Sequence, residues 1–401
     1  MASGRMVSQA RGDGPDANVL ARQEELTLSR RYRLGVIGFA HMHVNHLMSV
    51  FSATNRVDWV ACADTIPDVP ELVEAPDTRA WNLRQAREAI GIPKVYADYR
   101  EMLDKERFDL VVVCSENGRH AEVAEAVAAK GASLMIEKPM AAGLADALRI
   151  TRAAQAAGVE LFVNWPTTWV PSFRKAKQLV DEGAIGGVWE VKMRGGSLGP
   201  LSHNAHGSSG TSSALTGAQK GATWWHRAGT GGGAMLDYCG YGAYLSRWYL
   251  GEGAEAAFGI KANLRSRYAS AEDNAAIVVR FPRAMAILEA TWSCLDHGAP
   301  WLLVYGDTGT LAVYPFDPRQ LVTITRGPGT EPQEVEAEPL PVGRESIAGE
   351  IIHHLDTGEP VHETLQPGFN LEAMAILDAG IRSAASGKLE LVDDVTWRAG
   401  Y

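Results

Sequence analysis

Short runs that are apolar throughout recur along the first part of the chain: Leu34–Ile37, Trp59–Ala63, Leu110–Cys114, Leu134–Ile136 and Val159–Val163. A strand reads this way when both faces of its sheet are covered. Between the runs lie segments with helical character, Arg79–Ile90, Tyr99–Lys105, Ala121–Lys130 and Leu144–Ala157. Gly91, Gly131 and Gly158 follow three of them, where a helix wants a left-handed terminal residue. Strand and helix alternating at this spacing predict an α/β fold opening on a doubly wound parallel sheet.

After about residue 165 the period changes to two. Trp189, Val191 and Met193 alternate with Glu190, Lys192 and Arg194, and Phe258, Ile260, Ala262 and Leu264 with Gly259, Lys261, Asn263 and Arg265. Further runs follow at Ala275–Phe281, Ala284–Trp292, Trp301–Tyr305, Thr310–Tyr314 and Leu321–Thr325. This pattern predicts an α+β domain with a large, open, mostly antiparallel sheet covered on one face. Phe281-Pro282-Arg283 and Gly306-Asp307-Thr308-Gly309 read as hairpin turns, and the Gly/Ser-rich segment 195–221 as a long loop. The expected organisation is a flexible arm over 1–30, a first domain over 31–163 and a second over 164–401. A helix over 371–386, ending at Gly387, is expected to pack back on the first domain.

Composition narrows the function. The formal net charge of −10 argues against a general nucleic-acid or anionic-membrane binder. No apolar stretch approaches the roughly 20 residues that span a bilayer, and residues 1–30 lack the apolar core of a signal peptide. The four cysteines show no paired spacing and read as thiols in a reducing, cytoplasmic setting.

Candidate chemistry clusters at strand ends. Glu137-Lys138-Pro139 follows the run Leu134–Ile136, and a charged pair beside a sheet core costs free energy unless paired or used. In an open α/β sheet the carboxyl ends of the strands are where ligands bind. Gly38-Phe39-Ala40-His41-Met42-His43 stands where a dinucleotide-binding glycine turn would stand, with only its first glycine kept. Asp64 ends the second strand, where a carboxylate accepts from ribose hydroxyls and repels a 2′-phosphate, favouring NAD over NADP. His41, His43 and His46 invite a metal reading, but no Cys or carboxylate partner is evident, so no metal is expected. Asp237 and Tyr241, four residues apart, could share a helix face; the spacing alone is equally compatible with a helix cap and a core aromatic. Trp224-Trp225-His226-Arg227, beside a glycine-rich stretch, and Trp165 offer aromatic faces of the kind that suit sugars.

Taken in order, the strand-turn at Gly35–Gly38, Tyr96-Ala97-Asp98-Tyr99, Ser115-Glu116-Asn117 with His120, Glu137-Lys138-Pro139, Gly231–Asp237 and the Gly306–Thr310 turn resemble the Gfo/Idh/MocA oxidoreductases. The resemblance implies a Rossmann domain for a nicotinamide cofactor and a C-terminal domain whose open sheet mediates a homodimer or homotetramer. It implies that Gly38, Phe39, Ala40, His41, His43, Asp64, Ser115, Glu116, Asn117, His120, Glu137 and Lys138 line the cofactor cleft. It places Lys138 and Tyr241 as a proton-transfer pair supported by Asp237, with the ammonium lowering the phenol's pKa. Many relatives carry His where Tyr241 stands and Pro where Glu116 stands. The expected activity is hydride transfer between NAD and a secondary alcohol or ketone of a sugar, polyol or glycoside. The same scaffold also admits glycoside hydrolysis or elimination through a transient keto-sugar, or a non-catalytic sugar or nucleotide sensor.

Overall fold

The computed structural model describes residues 30–202, 215–294 and 300–393. Residues 1–29 of the expected arm, residues 203–214 of the Gly/Ser-rich segment, residues 295–299 and the last eight residues of the chain lie outside the described residues.

Six strands form the first sheet: β1 (Tyr32–Ile37), β2 (Val57–Ala63), β3 (Val95–Tyr96), β4 (Leu110–Val113), β5 (Ser133–Glu137) and β6 (Leu161–Asn164). Their spatial order is β3-β2-β1-β4-β5-β6, parallel throughout. This is the doubly wound order in which the chain reverses direction between β1 and β4, opening a crevice at their carboxyl ends. Leu110–Val113 is wholly buried, as a strand flanked by helices on both faces must be. Gly158 has φ +65° and closes its helix in the left-handed conformation.

Nine strands form the second sheet, in the order β14-β13-β12-β11-β7-β10-β9-β8-β15. They are β7 (Val188–Gly196), β8 (Ala256–Ala262), β9 (Asn274–Arg280), β10 (Met285–Thr291), β11 (Leu302–Gly306), β12 (Gly309–Tyr314), β13 (Leu321–Thr325), β14 (Gln333–Val335) and β15 (Glu390–Leu391). All neighbours are antiparallel except β7 and β10, which run parallel. One face packs against the helices Gly240–Leu250 and Pro367–Ser386. A Cβ on Gly259 would come 2.2 Å from the Gly380 carbonyl, so glycine here lets helix and sheet close together. The other face carries Trp189, Phe258, Ile260, Val278 and Met285, all exposed.

The helix expected over 371–386 begins earlier, at Pro367, because proline's fixed φ suits a first helical position. It touches the Rossmann sheet as well as the second one. The Leu144 N–H donates to Asp378 at 3.1 Å, and Trp165 Nε1 donates to Asn370 Oδ1 at 2.6 Å. Helices at Pro171–Asp181 and Gly240–Leu250 are not among the expected segments; the first does carry a helical stripe, Phe173, Ala176 and Val180. The second is buried nearly all round and so shows no polar stripe. Among the described residues, which include all four cysteines, no disulfide forms. No described helix is long and apolar enough to cross a membrane.

Candidate active site

Gly38 follows β1 with φ +90°, and a Cβ there would lie 2.3 Å from the Ser115 backbone nitrogen. Only glycine lets the β1 turn pass this close to the loop after β4. The helix His43–Ala53 follows at once. Two of the turn's amides are already used: the Phe39 N–H donates to Asp64 Oδ1 at 2.9 Å and the His41 N–H to the Cys114 carbonyl at 3.1 Å.

Asp64 stands at the end of β2 as expected, but it is not alone. Arg79 Nη1 donates to Asp64 Oδ1 at 2.7 Å, and Arg79 Nη2 pairs with Glu116 Oε1. Thr65 Oγ1 completes the group by donating to Glu116 Oε2 at 2.8 Å. Burial raises the Asp64 carboxyl, against the pull of the guanidinium and the Phe39 N–H. Arg79 was missed from the sequence. Its one signal is that it opens the helix after β2, at the same sheet edge as Asp64.

Glu137 and Lys138 leave β5 almost fully buried, and the Lys138–Pro139 peptide is cis. The two side chains go to different partners. Glu137 Oε1 meets His43 Nδ1 at 2.7 Å, and Glu137 Oε2 accepts from Asn164 Nδ2 at 2.9 Å. Burial alone would raise this carboxyl, yet His43, the Lys138 ammonium and Asn164 outweigh it and hold it below its ordinary range. Ligand-capable atoms of His41, His43 and Glu137 lie within 4.8 Å of one another, so the carboxylate partner absent from the linear motif exists in space. The His41 Nδ1 lone pair, however, accepts the His43 N–H at 3.1 Å. A cation held through that nitrogen would have to displace this bond.

Lys138 Nζ donates to Asp237 Oδ1 at 2.6 Å, and Trp292 Nε1 donates to Asp237 Oδ2 at 3.1 Å. The ammonium sits 4.5 Å from the centre of the Tyr241 ring, a cation–π contact with the face. This contact is with the ring and not the hydroxyl, so it gives the expected lowering of the phenol's pKa no support. Burial, followed by the Glu137 and Asp237 charges, pushes Tyr241 well above its ordinary value of 10, and the phenol stays neutral. The pair that forms is Lys–Asp, with Tyr241 as its packing partner.

Lys138 and Asp237 line a narrow cavity, too tight for a water molecule as it stands, together with Trp224, Trp225, Asn117 and Gly231–Gly233. Asn117 Oδ1 and Trp225 Nε1 are buried polar atoms without a hydrogen-bond partner in the structure. One acceptor and one donor, both desolvated and on one cavity, are what a ligand's polar group would satisfy. Trp224 lines the same space, and its Nε1 donates to the Ala40 carbonyl at 2.7 Å, bridging to the glycine turn.

Other expected residues take supporting places. Trp165 is a correction, because it stacks on Tyr244 at 4.6 Å and bonds Asn370, which makes it core rather than substrate wall. His120 lies between the Met140 and Ser115 carbonyls, 3.2 Å from each, and ties together the loops after β4 and β5 instead of facing the cavity. His226 packs against Trp292 and Tyr268 behind the wall, and burial lowers it to about 4. Arg227 is half-buried and does not line the cavity.

The structure fits a dinucleotide. A glycine-only turn at a helix start, a carboxylate at the end of β2 and unsatisfied polar atoms beyond β4 occupy the places the doubly wound fold provides for it. Comparison with known proteins agrees. Residues 32–165 match the family described as "Oxidoreductase family, NAD-binding Rossmann fold" and residues 173–312 the "GFO/IDH/MocA C-terminal domain". A myo-inositol 2-dehydrogenase from Thermotoga maritima is 29% identical over 154 residues, 38% of this chain and 42% of that protein. A D-apiose dehydrogenase from Paraburkholderia graminis is 30% identical over 160 residues, 40% of this chain and 39% of that protein. The chain thus spans about two fifths of the length of these curated relatives. The WlbA dehydrogenase from Bordetella pertussis, solved with NADH and UDP-GlcNAcA, superposes with a TM-score of 0.70 at 22% identity, covering 91% of this chain and 100% of that one; this likeness shows the fold. The two family matches together cover most of the described sequence, and the chain belongs to the Gfo/Idh/MocA oxidoreductase family with its NAD-binding Rossmann fold.

Proposed function

We propose that the protein transfers hydride between NAD and a secondary alcohol or ketone of a sugar or polyol, using Lys138 and Asp237 for the proton. The observation that carries this reading is the Lys138–Asp237 pair on a cavity that also presents Asn117 Oδ1 and Trp225 Nε1. Bound NAD supplies the hydride acceptor, with the Gly38 turn and Asp64 as the residues that would hold it.

An ammonium has three protons, and one is given to Asp237. The remaining two can reach a substrate oxygen, where they stabilise the alkoxide that develops as hydride leaves carbon. As the hydroxyl proton moves to Nζ, the proton between Nζ and Asp237 can shift to the carboxylate. In the reducing direction both protons return. Trp292, holding the other carboxylate oxygen, keeps Asp237 aimed at the lysine. The Trp224 and Trp225 faces suit the C–H surface of a sugar ring. Proteins with a similar sequence are named inositol and D-apiose dehydrogenases, which supports a polyhydroxylated substrate. Self-association through the exposed face of β8, β9 and β10 belongs to the same reading, since Phe258, Ile260, Val278 and Met285 lie bare there.

The test is a panel of polyols and aldoses assayed for NADH formation with wild type and Lys138→Ala. Turnover on at least one sugar that vanishes in the variant supports the reading. Product formed with no net NADH would replace it with transient oxidation, and equal turnover in both proteins would remove Lys138 from the chemistry.

A further inference from the structure

The ion-pair cluster around Arg79 is expensive. Arg79 faces Asp64 and Glu116 through its guanidinium, and its backbone N–H donates to Glu71 at 2.9 Å. Three carboxylates thus surround one cation. Desolvating charges usually costs as much as their pairing returns, so such a cluster is weak evidence of stabilisation. Its place is more telling. Asp64 marks where the adenosine ribose is read in this fold, and a nearby Arg is what accommodates a 2′-phosphate where one is bound. Here the arginine is present beside the carboxylate that excludes it.

The geometry shows how the two are reconciled. Nη1 is divided among Asp64 Oδ1 at 2.7 Å, the Thr65 carbonyl at 3.0 Å and Thr65 Oγ1 at 3.1 Å. Nη2 is taken by Glu116, which Thr65 Oγ1 holds in place. Nε is buried and without a partner in the structure. A planar guanidinium binds phosphate best through two parallel N–H bonds, and Glu116 blocks one edge of that fork.

We propose that Glu116 is an internal substitute for a cofactor 2′-phosphate: it occupies Arg79 and, with Asp64, makes the pocket selective for NAD. The specificity resides in the Glu116–Arg79 pair as well as in the strand-end carboxylate. Without Glu116 the local charge becomes one unit less negative and an edge of the guanidinium is released. A 2′-phosphate then gains a donor it lacks in the native protein.

The experiment measures binding, not turnover. Affinities of NADH and NADPH are compared by fluorescence, and those of 5′-AMP and adenosine 2′,5′-bisphosphate by calorimetry, the latter pair probing this half of the cleft alone. Glu116→Gln, which keeps the side-chain shape and an acceptor for Thr65, is expected to shift the ratio at least tenfold towards the 2′-phosphorylated ligand. Adding Arg79→Gln in the same chain is expected to cancel the shift. A ratio within threefold of wild type in Glu116→Gln overturns the proposal, as does a gain that survives loss of Arg79. Arg79→Gln in the native background gives a second, independent reading. It is expected to leave the ratio unchanged, because Glu116 already masks the arginine. A selective loss of the 2′-phosphorylated ligands there would show that Arg79 reads the phosphate directly, against the proposal.

Discussion

Lys138 and Arg79 are both buried cations at the carboxyl edge of one parallel sheet, and their surroundings differ in kind. Lys138 meets a single carboxylate, keeps donors to spare and lines a cavity beside two unsatisfied polar atoms. Arg79 is shared by two carboxylates, a carbonyl and a hydroxyl, and faces the protein on nearly every side. The first arrangement leaves capacity for a reacting oxygen. The second uses its capacity in advance and suits recognition. A buried charge thus marks chemistry or selectivity according to how many of its donors the fold has already consumed.

Breaking the open pair is expected to have the largest effect. Lys138→Ala removes the ammonium from the cavity, and turnover is expected to fall by about 10³-fold, the scale on which one preorganised donor acts. Steady-state rates with the best substrate of the panel check it, with NADH binding as the control. Asp237→Asn keeps the shape and a hydrogen-bond acceptor but loses the proton acceptor. A fall of about 10²-fold in kcat with a smaller change in KM is expected, and a pure KM effect would make Asp237 a positioning residue.

Tyr241→Phe sharpens the comparison from the other side. Because the ring face contacts Lys138 and burial keeps the phenol neutral, less than about a tenfold loss of turnover is expected. A loss as large as that of Lys138→Ala would restore the Lys–Tyr pair. A tyrosinate absorbance titration gives a separate check: Tyr241→Phe is expected to remove no signal below pH 10.

Smaller effects concern the wall. His226 is lowered to about 4 by burial and then by the Lys220 charge, whereas in the unfolded chain it titrates at its ordinary 6.5. Below pH 6.5 the unfolded state takes up a proton that the folded state refuses. The stability from keeping His226 neutral is therefore present above pH 6.5 and lost as pH falls towards 4, by a few kcal/mol at most. Urea midpoints of wild type and His226→Gln across this window are expected to converge as pH falls. His362, also lowered to about 4, leaves a residual slope in both. Trp224→Phe loses one hydrogen bond to the Ala40 carbonyl and is expected to cost about 1 kcal/mol, read as a lower melting temperature.

Most of the frame was legible in the chain. The all-apolar runs located β1, β2, β4 and β5 to within a few residues, since a strand buried on both faces has no polar position to hide it. The hairpin at Gly306–Gly309 was equally plain, and the period-2 segments marked the second sheet. The helix Gly240–Leu250 was not, because burial on all sides erases the stripe that reveals a helix.

The site was legible as a set of residues, but the contacts among them were not. The sequence alone determined that Gly38, Asp64, Glu116, Asn117 and Lys138 gather at one sheet edge, because the βα alternation delivers each strand's carboxyl end to the same side. Which atoms meet was left to the tertiary structure. Packing turned the Tyr241 ring, not its hydroxyl, towards the ammonium and gave Lys138 to Asp237. It carried Arg79 across to Glu116, 37 residues away, and sent Trp165 into the core on Tyr244. Hydrophobic period is a local property that a linear chain displays. The partner of a buried charge depends on desolvation and angstrom-scale distance between segments far apart in sequence, which only the folded molecule sets.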